Sequence, residues 1–453
     1  MNPFTALRRL YAPPAPKPMR PPAEIARVYP GYRWRMLQAT FIGYATYYLI
    51  RNNLSPIKPE LITALGYTKT MLGNIGAVTA LSYGLSKFVM GVLSDRSDAR
   101  KFMATGLLLS AACNFAFGMS TSYHAHLWLW GLNGFFQGMG WPPCGRTMGH
   151  WFSESERGLT FSIWNTSHNV GGAIAGYLAA WSVAEFGGWQ YAFFVPGVIS
   201  IIGAAYIFAT LRDTPQSLGL PPIEEYRNDY PAAAGESCIV EERDLTFREL
   251  LVGKVLSNPW VWLLAIANFF AYITRYSMID WGPTYLGEIK GVSLKEGGFS
   301  TTVLELGGIP STIALGWLSD KLGGRRGMVA ALCMIPILGA FTVILFTPNN
   351  ALWLDMAMLF TVGFFIYPVI NLITIAALDI VSKKAIGAAA GFIGLFGYIG
   401  RMVMEKGFGW TVDTYTATHG KEYAWDIVLY VILACGVMSM LLLACTWRLR
   451  PRA

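Results

Sequence analysis

Arg51 and Arg275 are the side chains of this chain best suited to bind an anion. They lie 224 positions apart, in FIGYATYYLIRNN and IANFFAYITRYSMIDW, each after a nearly unbroken apolar stretch. A cation inside a membrane span costs several kcal/mol, which makes it a candidate functional group by default. Arginine keeps its proton and offers a planar fork that matches phosphate or carboxylate. One such residue in each half of the chain forms a candidate clamp for a doubly charged anion. The alternative for either arginine alone is a helix end whose side chain reaches the surface. The matched placement in both halves counts against it.

Other side chains fit the same chemistry. His168, in SIWNTSHNVGG, falls about ten residues into its apolar segment. A mid-depth imidazole can donate to an anion and can change charge with it. Asn165, three residues earlier, shares its helical face, and Asn169, Gly171 and Gly172 make the stretch polar and close-packed. Lys87 and Glu305 are lone charges at mid-depth, each costly if unpaired. Glu305 is expected to neutralise an arginine until an anion arrives, and that exchange of partners would bias one conformation. Asp280 lies nearer the end of its segment and is a weaker candidate for the same role. Tyr44, Tyr47, Tyr48, Tyr83, Tyr272, Tyr276 and Tyr367 cluster near these helices, and their phenols can donate to phosphate or hydroxyl oxygens. Taken singly, each also fits core packing or an interfacial belt. Arg401 and Glu405 are four apart and can pair on one helical face, with Lys406 beside them.

The elements that must position these residues are membrane helices. Of 453 residues, 54% are hydrophobic and 14% are charged, well below the roughly 25% charge of soluble domains. Spans of about 20 apolar residues are expected near 36–56, 71–93, 103–120, 127–147, 159–182, 190–210, 258–284, 297–318, 327–346, 352–378, 386–412 and 425–446. That makes twelve helices in two halves, 36–211 and 258–447, joined by a polar linker at 212–257 that includes the acidic run EERDLTFREL. Residues 1–35 and 448–453 flank them, with no cleavable signal peptide expected. Basic residues concentrate on one side: Arg96, Arg100, Lys101, Lys321, Arg325, Arg326, Lys383 and Lys384. The opposite side holds Lys58, Lys69, Lys290, Lys295 and Lys421. Both termini are therefore expected in the cytoplasm. The net charge of +8 follows from this bias, so nucleic acid is no expected partner.

An internal repeat supports the two halves. GVLSDRSDARK at 91–101 recurs as GWLSDKLGGRR at 316–326, with Asp95 and Asp320 separated by 225 positions. Gly91 and Gly316 are expected to let a neighbouring backbone approach closely. Asp95, Arg96, Asp320 and Lys321 are expected to pair with each other or with helix ends and to latch one state. The six cysteines show no metal-ligand spacing, and His124, His126, His150 and His419 fall near loops, where solvation is expected. No nucleotide loop, acid–base pair or zinc motif appears, so the chain is expected to be no enzyme and to need no cofactor or metal. Two six-helix halves with a site between them is the plan of many secondary transporters.

Over its whole length the chain resembles the major facilitator superfamily, and within it the organophosphate:phosphate antiporter family, in particular bacterial glycerol-3-phosphate transporters. YYLIRNN, YGLSKFVMGVLSDRS, GFFQGMGWPPCGRTM, WNTSHNVGG, RDTPQSLGLPPIEEYRNDYP, ELGGIPST and GFIGLFGYIG carry the resemblance. It implies exchange of external organophosphate for internal inorganic phosphate by rocking of the halves, in the inner membrane; the chain is expected to act as a monomer. It also implies that Arg51 and Arg275 bind the phosphoryl group, that His168 and Asn165 adjoin it, and that Lys87, Glu305 and Asp280 belong to the central cavity. Tyr44, Tyr48, Tyr83, Tyr272 and Tyr398 would line that cavity. Asn52 stands where the glycerol-phosphate pattern has lysine, leaving Asp280 without that partner, and the charges of helix 11 are foreign to that pattern. Glycerol-3-phosphate leads; hexose-6-phosphate, phosphoglycerate and a membrane sensor of sugar phosphate are the alternatives.

Overall fold

The structure, a computed structural model, describes residues 10–229, 255–349, 351–381 and 386–449. Lys383, Lys384, Cys238 and the acidic run of the linker lie outside the described residues. The spans are α1 (Pro22–Leu49), α2 (Lys69–Asp95), α3 (Ala99–Met119) and α4 (Tyr123–Gln137, continued by Trp141–Trp151). They continue with α5 (Glu154–Asn165 and Ser167–Phe186), α6 (Tyr191–Thr210), α7 (Pro259–Asp280) and α8 (Leu294–Lys321). The last four are α9 (Arg326–Phe346), α10 (Leu352–Asp379), α11 (Ile386–His419) and α12 (Lys421–Cys445). Short helices at Lys58–Leu65 and Gly282–Ile289 follow α1 and α7.

Local chemistry explains several boundaries. Thr68, Asp98, Ser122 and Asn258 accept hydrogen bonds from first-turn amides of α2, α3, α4 and α7. Ser293 and Glu296 form a reciprocal capping box at α8. Gly420, at φ 92°, makes the turn between α11 and α12 that an L side chain would strain.

Among the described residues, six spans pass a test of length and apolarity: α2, α3, α6, α9, α10 and α12. Of the other six, α4 and α5 are each broken into two shorter helices, and α1, α7, α8 and α11 carry prolines, aromatic or charged residues that lower their mean hydropathy. They can do so because they pack against protein or line the chamber rather than face lipid all round.

Several spans depart from the apolar stretches. α1 begins at Pro22 and ends at Leu49, not 36–56, so Arg51 follows the helix instead of lying inside it. α4 is interrupted between Gln137 and Trp141, and α5 at Thr166. The stretch 258–284 is likewise two helices divided at Trp281. Hydropathy records burial, whereas these breaks are set by local backbone geometry and side-chain partners.

Within halves, α3 packs on α6, α2 on α4, α7 on α11 and α12, and α10 on α8 and α9. Between halves, α2 packs on α11 and α5 on α8. The α5–α8 contact is tight. A Cβ at Gly298 would come 2.6 Å from the Gly176 carbonyl, and one at Gly176 2.8 Å from that of Gly298.

We call the side carrying the chain ends the terminal face and the other the distal face. On the distal face the halves are sewn together. Ser55 Oγ donates to the carbonyls of Ile279 (2.5 Å) and Asp280 (2.8 Å). Lys58 Nζ meets Glu405 at 3.0 Å and Lys69 Nζ meets Glu288 at 2.9 Å. Asp413 accepts from the amides of Lys69 (3.1 Å) and Thr70 (2.6 Å), capping α2 from the other half.

On the terminal face, residues 10–21 and 211–229 build onto the N-terminal half. The amides of Lys17 and Arg20 donate to the carbonyls of Gln216 and Gly219, both at 2.9 Å. Tyr29 stacks on Tyr226 with ring centroids 3.9 Å apart. Asp213 accepts from the Ala99 amide (3.0 Å) and from Arg146 (2.6 Å). The first part of the expected linker is thus a fixed part of that half.

Candidate anion-binding chamber

Arg51 owes its position to the end of α1. The last carbonyls of a helix lack intrahelical partners and must find others. The Ile50 carbonyl, just past the helix, accepts from Asn114 Nδ2 (3.1 Å) and Asn133 Nδ2 (2.9 Å), both buried. Asn53 Nδ2 in turn donates to Asn114 Oδ1 at 2.8 Å and to the Ala192 carbonyl at 2.9 Å. Side chains from α3 and α4 therefore fix the turn on which Arg51 stands. The negative end of the α1 dipole also favours a cation there. Arg275 lies in the last turns of α7, whose terminal carbonyls are the ones that take Ser55 from the opposite half.

A closed circuit of contacts joins the two arginines. Arg51 lies over Tyr83 (3.9 Å) and Tyr48 (5.0 Å), and its Nη2 donates to the Tyr398 hydroxyl at 3.2 Å. Tyr48 adjoins His168 (5.8 Å), and His168 adjoins Tyr367 (5.6 Å). Tyr367 lies under Arg275 (4.3 Å), which also covers Tyr276 (4.9 Å). Tyr276 leads to Tyr272 (5.5 Å) and Tyr272 back to Tyr398 (5.4 Å). Tyr44 backs Tyr48 at 5.5 Å and packs on Trp164. Lys87 reaches over Tyr83 and Tyr398 at 5.4 and 5.2 Å. Both arginines are buried, at 7% exposure. Arg275 Nε and the Tyr367 hydroxyl are buried with no hydrogen-bond partner. Buried donors normally find partners, so a guanidinium nitrogen left without one is a candidate contact for an anion.

The charges here are arranged differently from the expectation. Glu305 makes no ion pair with Arg51 or Arg275. It is 1% exposed and accepts from Asn169 Nδ2 at 2.9 Å. A Cβ at Gly172 would come 2.6 Å from its Oε1, so a glycine is what gives the carboxylate room. Asn165 offers its carbonyl to His168 Nδ1, and its side chain makes no hydrogen bond among the described residues. Asn169, one turn further along, is the amide that crosses to the other half. Asp280 has a partner: Arg401 Nε and Nη2 grip it at 2.7 and 2.8 Å. Arg401 consequently does not pair with Glu405, which takes Lys58 instead. Helical spacing allows the intrahelical pair, but partners from other elements offer closer geometry in a buried setting. With Arg401 and Lys58 each matched by a carboxylate, Arg51, Arg275 and Lys87 face Glu305. Leaving the histidine aside, that is an excess of two positive charges, suited to a phosphate dianion.

The repeated motif lies on the terminal face. A Cβ at Gly91 or Gly316 would meet nothing within 4 Å, so the expected close approach is absent in this state. Asp95 and Arg96 are exposed, with no ion pair among the described residues. Asp320 pairs with Arg326, and Lys321 lies over Trp317 at 3.9 Å. Asp379 at the end of α10 pairs with Arg326, and Arg146 of α4 donates to the Ser94 carbonyl at the end of α2, so the motif is tied within each half; no ion pair joins the halves on this face among the described residues.

Other residues play parts that spacing did not show. His126, expected to be solvated, is fully buried, bonded to Tyr67 and stacked on Phe117. Lys58 and Lys69, expected only to lie on the side opposite the basic cluster, close the distal seam. The asparagine set at Asn53, Asn114 and Asn133 gave no signal beyond amides in apolar segments, which is the trace such a set leaves.

The Major Facilitator Superfamily model matches residues 40–404. The chain is 42% identical to the glycerol-3-phosphate transporter of Haemophilus influenzae, over 94% of both chains. It is 40% identical to a probable hexose phosphate transport protein of Chlamydia pneumoniae, over 93% of both. Its fold superposes on a bacterial homolog of the human lysosomal transporter Spinster, solved inward-facing, with a TM-score of 0.71 at 16% identity, covering 92% of this chain and 96% of that one. Two six-helix halves meeting at one polar chamber, with these relatives, give one assignment: the chain belongs to the major facilitator superfamily.

Proposed function

We propose that this protein exchanges an organophosphate for inorganic phosphate by alternating access, with glycerol-3-phosphate as the leading organic substrate. The observation that carries this reading is the circuit of tyrosines and histidine that joins Arg51 of one half to Arg275 of the other. An anion bound by both forks ties the halves together, so only the loaded or reset protein reorients. Arg51 and Arg275 hold the phosphoryl oxygens; His168, Tyr48, Tyr83, Tyr272, Tyr367 and Tyr398 add donors; Lys87 and Glu305 rebalance charge as the anion leaves. Inorganic phosphate satisfies the same groups, which is what an exchanger of two phosphate-bearing solutes requires. The basic residues Arg96, Arg100, Lys101, Lys321 and Arg326 support a terminal face on the cytoplasmic side of an inner membrane.

The names of the relatives support a phosphate ester as the solute. The Arg401–Asp280 pair beside Tyr276 favours an altered reading of the organic group, with hexose-6-phosphate or phosphoglycerate as the alternatives. Counterflow in proteoliposomes loaded with phosphate tests the proposal. Labelled glycerol-3-phosphate should enter only with internal phosphate, and competition by glucose-6-phosphate and 3-phosphoglycerate ranks the substrates. Binding without uptake would favour a sensor over an exchanger. Arg51→Lys keeps the charge but loses the fork, so its apparent affinity for phosphate should fall at least about tenfold. Wild-type exchange by this variant would sink the clamp.

A further inference from the structure

This inference rests on the exchange reading above and concerns the seam that shuts the distal face. Donors and acceptors there are sorted by half. The N-terminal half supplies Ser55, Lys58, Lys69 and Thr70; the C-terminal half supplies the carbonyls of Ile279 and Asp280 and the carboxylates of Glu288, Glu405 and Asp413. Lys58 is the cation of the seam most removed from solvent, at 1% exposure. Its ammonium lies 3.0 Å from Glu405 Oε2 and 3.8 Å from the centre of the Trp281 ring. Both partners belong to the other half. Lys58 also stands on the segment that carries Arg51, seven residues further on and so within about 25 Å of it even if the chain were straight.

Separating the halves on the distal face removes Glu405 and Trp281 from Lys58 together. A buried cation that loses its partner is costly and must be met by water or a new anion. The solute that arrives by this route carries a phosphoryl group on its way to Arg51. We infer that Lys58 is an entry site for that group. Its ammonium bonds Glu405 while the distal face is shut and a phosphoryl oxygen while it is open, then passes the anion inward. Glu405 competes with the substrate for the same ammonium and reclaims it once the anion has moved on, which closes the seam behind it. Lysine suits this brief contact, being a flexible point charge with rotatable donors rather than a fork that fixes a geometry.

Self-exchange of labelled inorganic phosphate tests this, because the same anion then probes both faces. KM is measured from the distal face in right-side-out vesicles and from the terminal face in inverted ones. Lys58→Gln should raise the distal KM about tenfold with the terminal KM little changed. Glu405→Gln should lower the distal KM, since the competitor is gone. The double variant leaves no unpaired charge in the seam, so it should fold and still show the raised distal KM. A plain latch would move both single variants in the same direction, because either one frees the halves. That result overturns the inference, as does a double variant with the wild-type distal KM. Wild-type protein that exchanges no phosphate from either face would instead overturn the exchange reading itself.

Discussion

At the scale of single residues, the chamber is under tension between stability and binding. Tyr367 is buried, its ring against Arg275 and His168 and its hydroxyl near Glu305 without a hydrogen bond of good geometry. A buried hydroxyl without a partner costs about 1–3 kcal/mol. Tyr367→Phe removes that cost in the empty protein and removes a donor in the loaded one. The expected outcome is a higher melting temperature in detergent with weaker phosphate binding. A variant that melts lower and binds as well as wild type would show that the hydroxyl serves packing. The same logic separates the arginines from the other cations. Arg401 and Lys58 each have a carboxylate within 3.0 Å, while Arg51 and Arg275 lie on aromatic faces, and Arg275 Nε has no hydrogen-bond partner.

At the scale of elements, the ends of helices do the positioning. α1 stops two residues before Arg51, and the carbonyl left at Ile50 is held by Asn114 and Asn133. Asn133→Leu deletes one of those donors without touching any charge. It should cost about 1–3 kcal/mol of stability and also weaken anion binding, read together by a melting curve with and without phosphate. Unchanged binding at lowered stability would mean that the turn bearing Arg51 is set by something else. α7 shows the complementary arrangement, since its last carbonyls are held by Ser55 from across the seam. The two arginine-bearing helix ends are thus tied, one within its half and one between halves. The repeat is faithful in sequence but unequal in this respect.

At the scale of the whole molecule, the state is defined by which face is sewn. The seam groups lie on the distal face, and the motif at Gly91 and Gly316 stands clear on the terminal face. The glycine contact between α5 and α8 belongs to this closure. Gly298→Ala would press a methyl within 2.6 Å of the Gly176 carbonyl and 2.7 Å of the Ala180 Cβ. Overpacking of this kind costs about 1–3 kcal/mol, and that cost falls on the distal-closed state. Distances between spin labels at the distal ends of α2 and α8 should lengthen. An unaltered distribution would mean that the helices pass the methyl without separating.

The sequence by itself determined the class of molecule. Long apolar stretches and sparse charge require spanning helices, and the recurrence of GVLSDRSDARK as GWLSDKLGGRR divides them into halves. It also marked Arg51, Arg275, His168, Lys87 and Glu305, because a polar residue in apolar surroundings stands out at the level of composition. Pairing was decided by tertiary structure alone. Spacing along one helix offered Arg401 to Glu405, while the fold gave Arg401 to Asp280 on α7 and Glu405 to Lys58 on the other half. Spacing set Asn165 beside His168, while the fold brought Asn169, one turn further on, against Glu305 of the other half. Hydropathy placed Arg51 inside a helix that in fact ends before it, held there by asparagines 63 and 82 residues away in the chain. The physical reason is common to all three. Burial depends on the composition of a segment and can be read locally, whereas an ion pair or a helix end depends on which groups another element brings within about 3 Å.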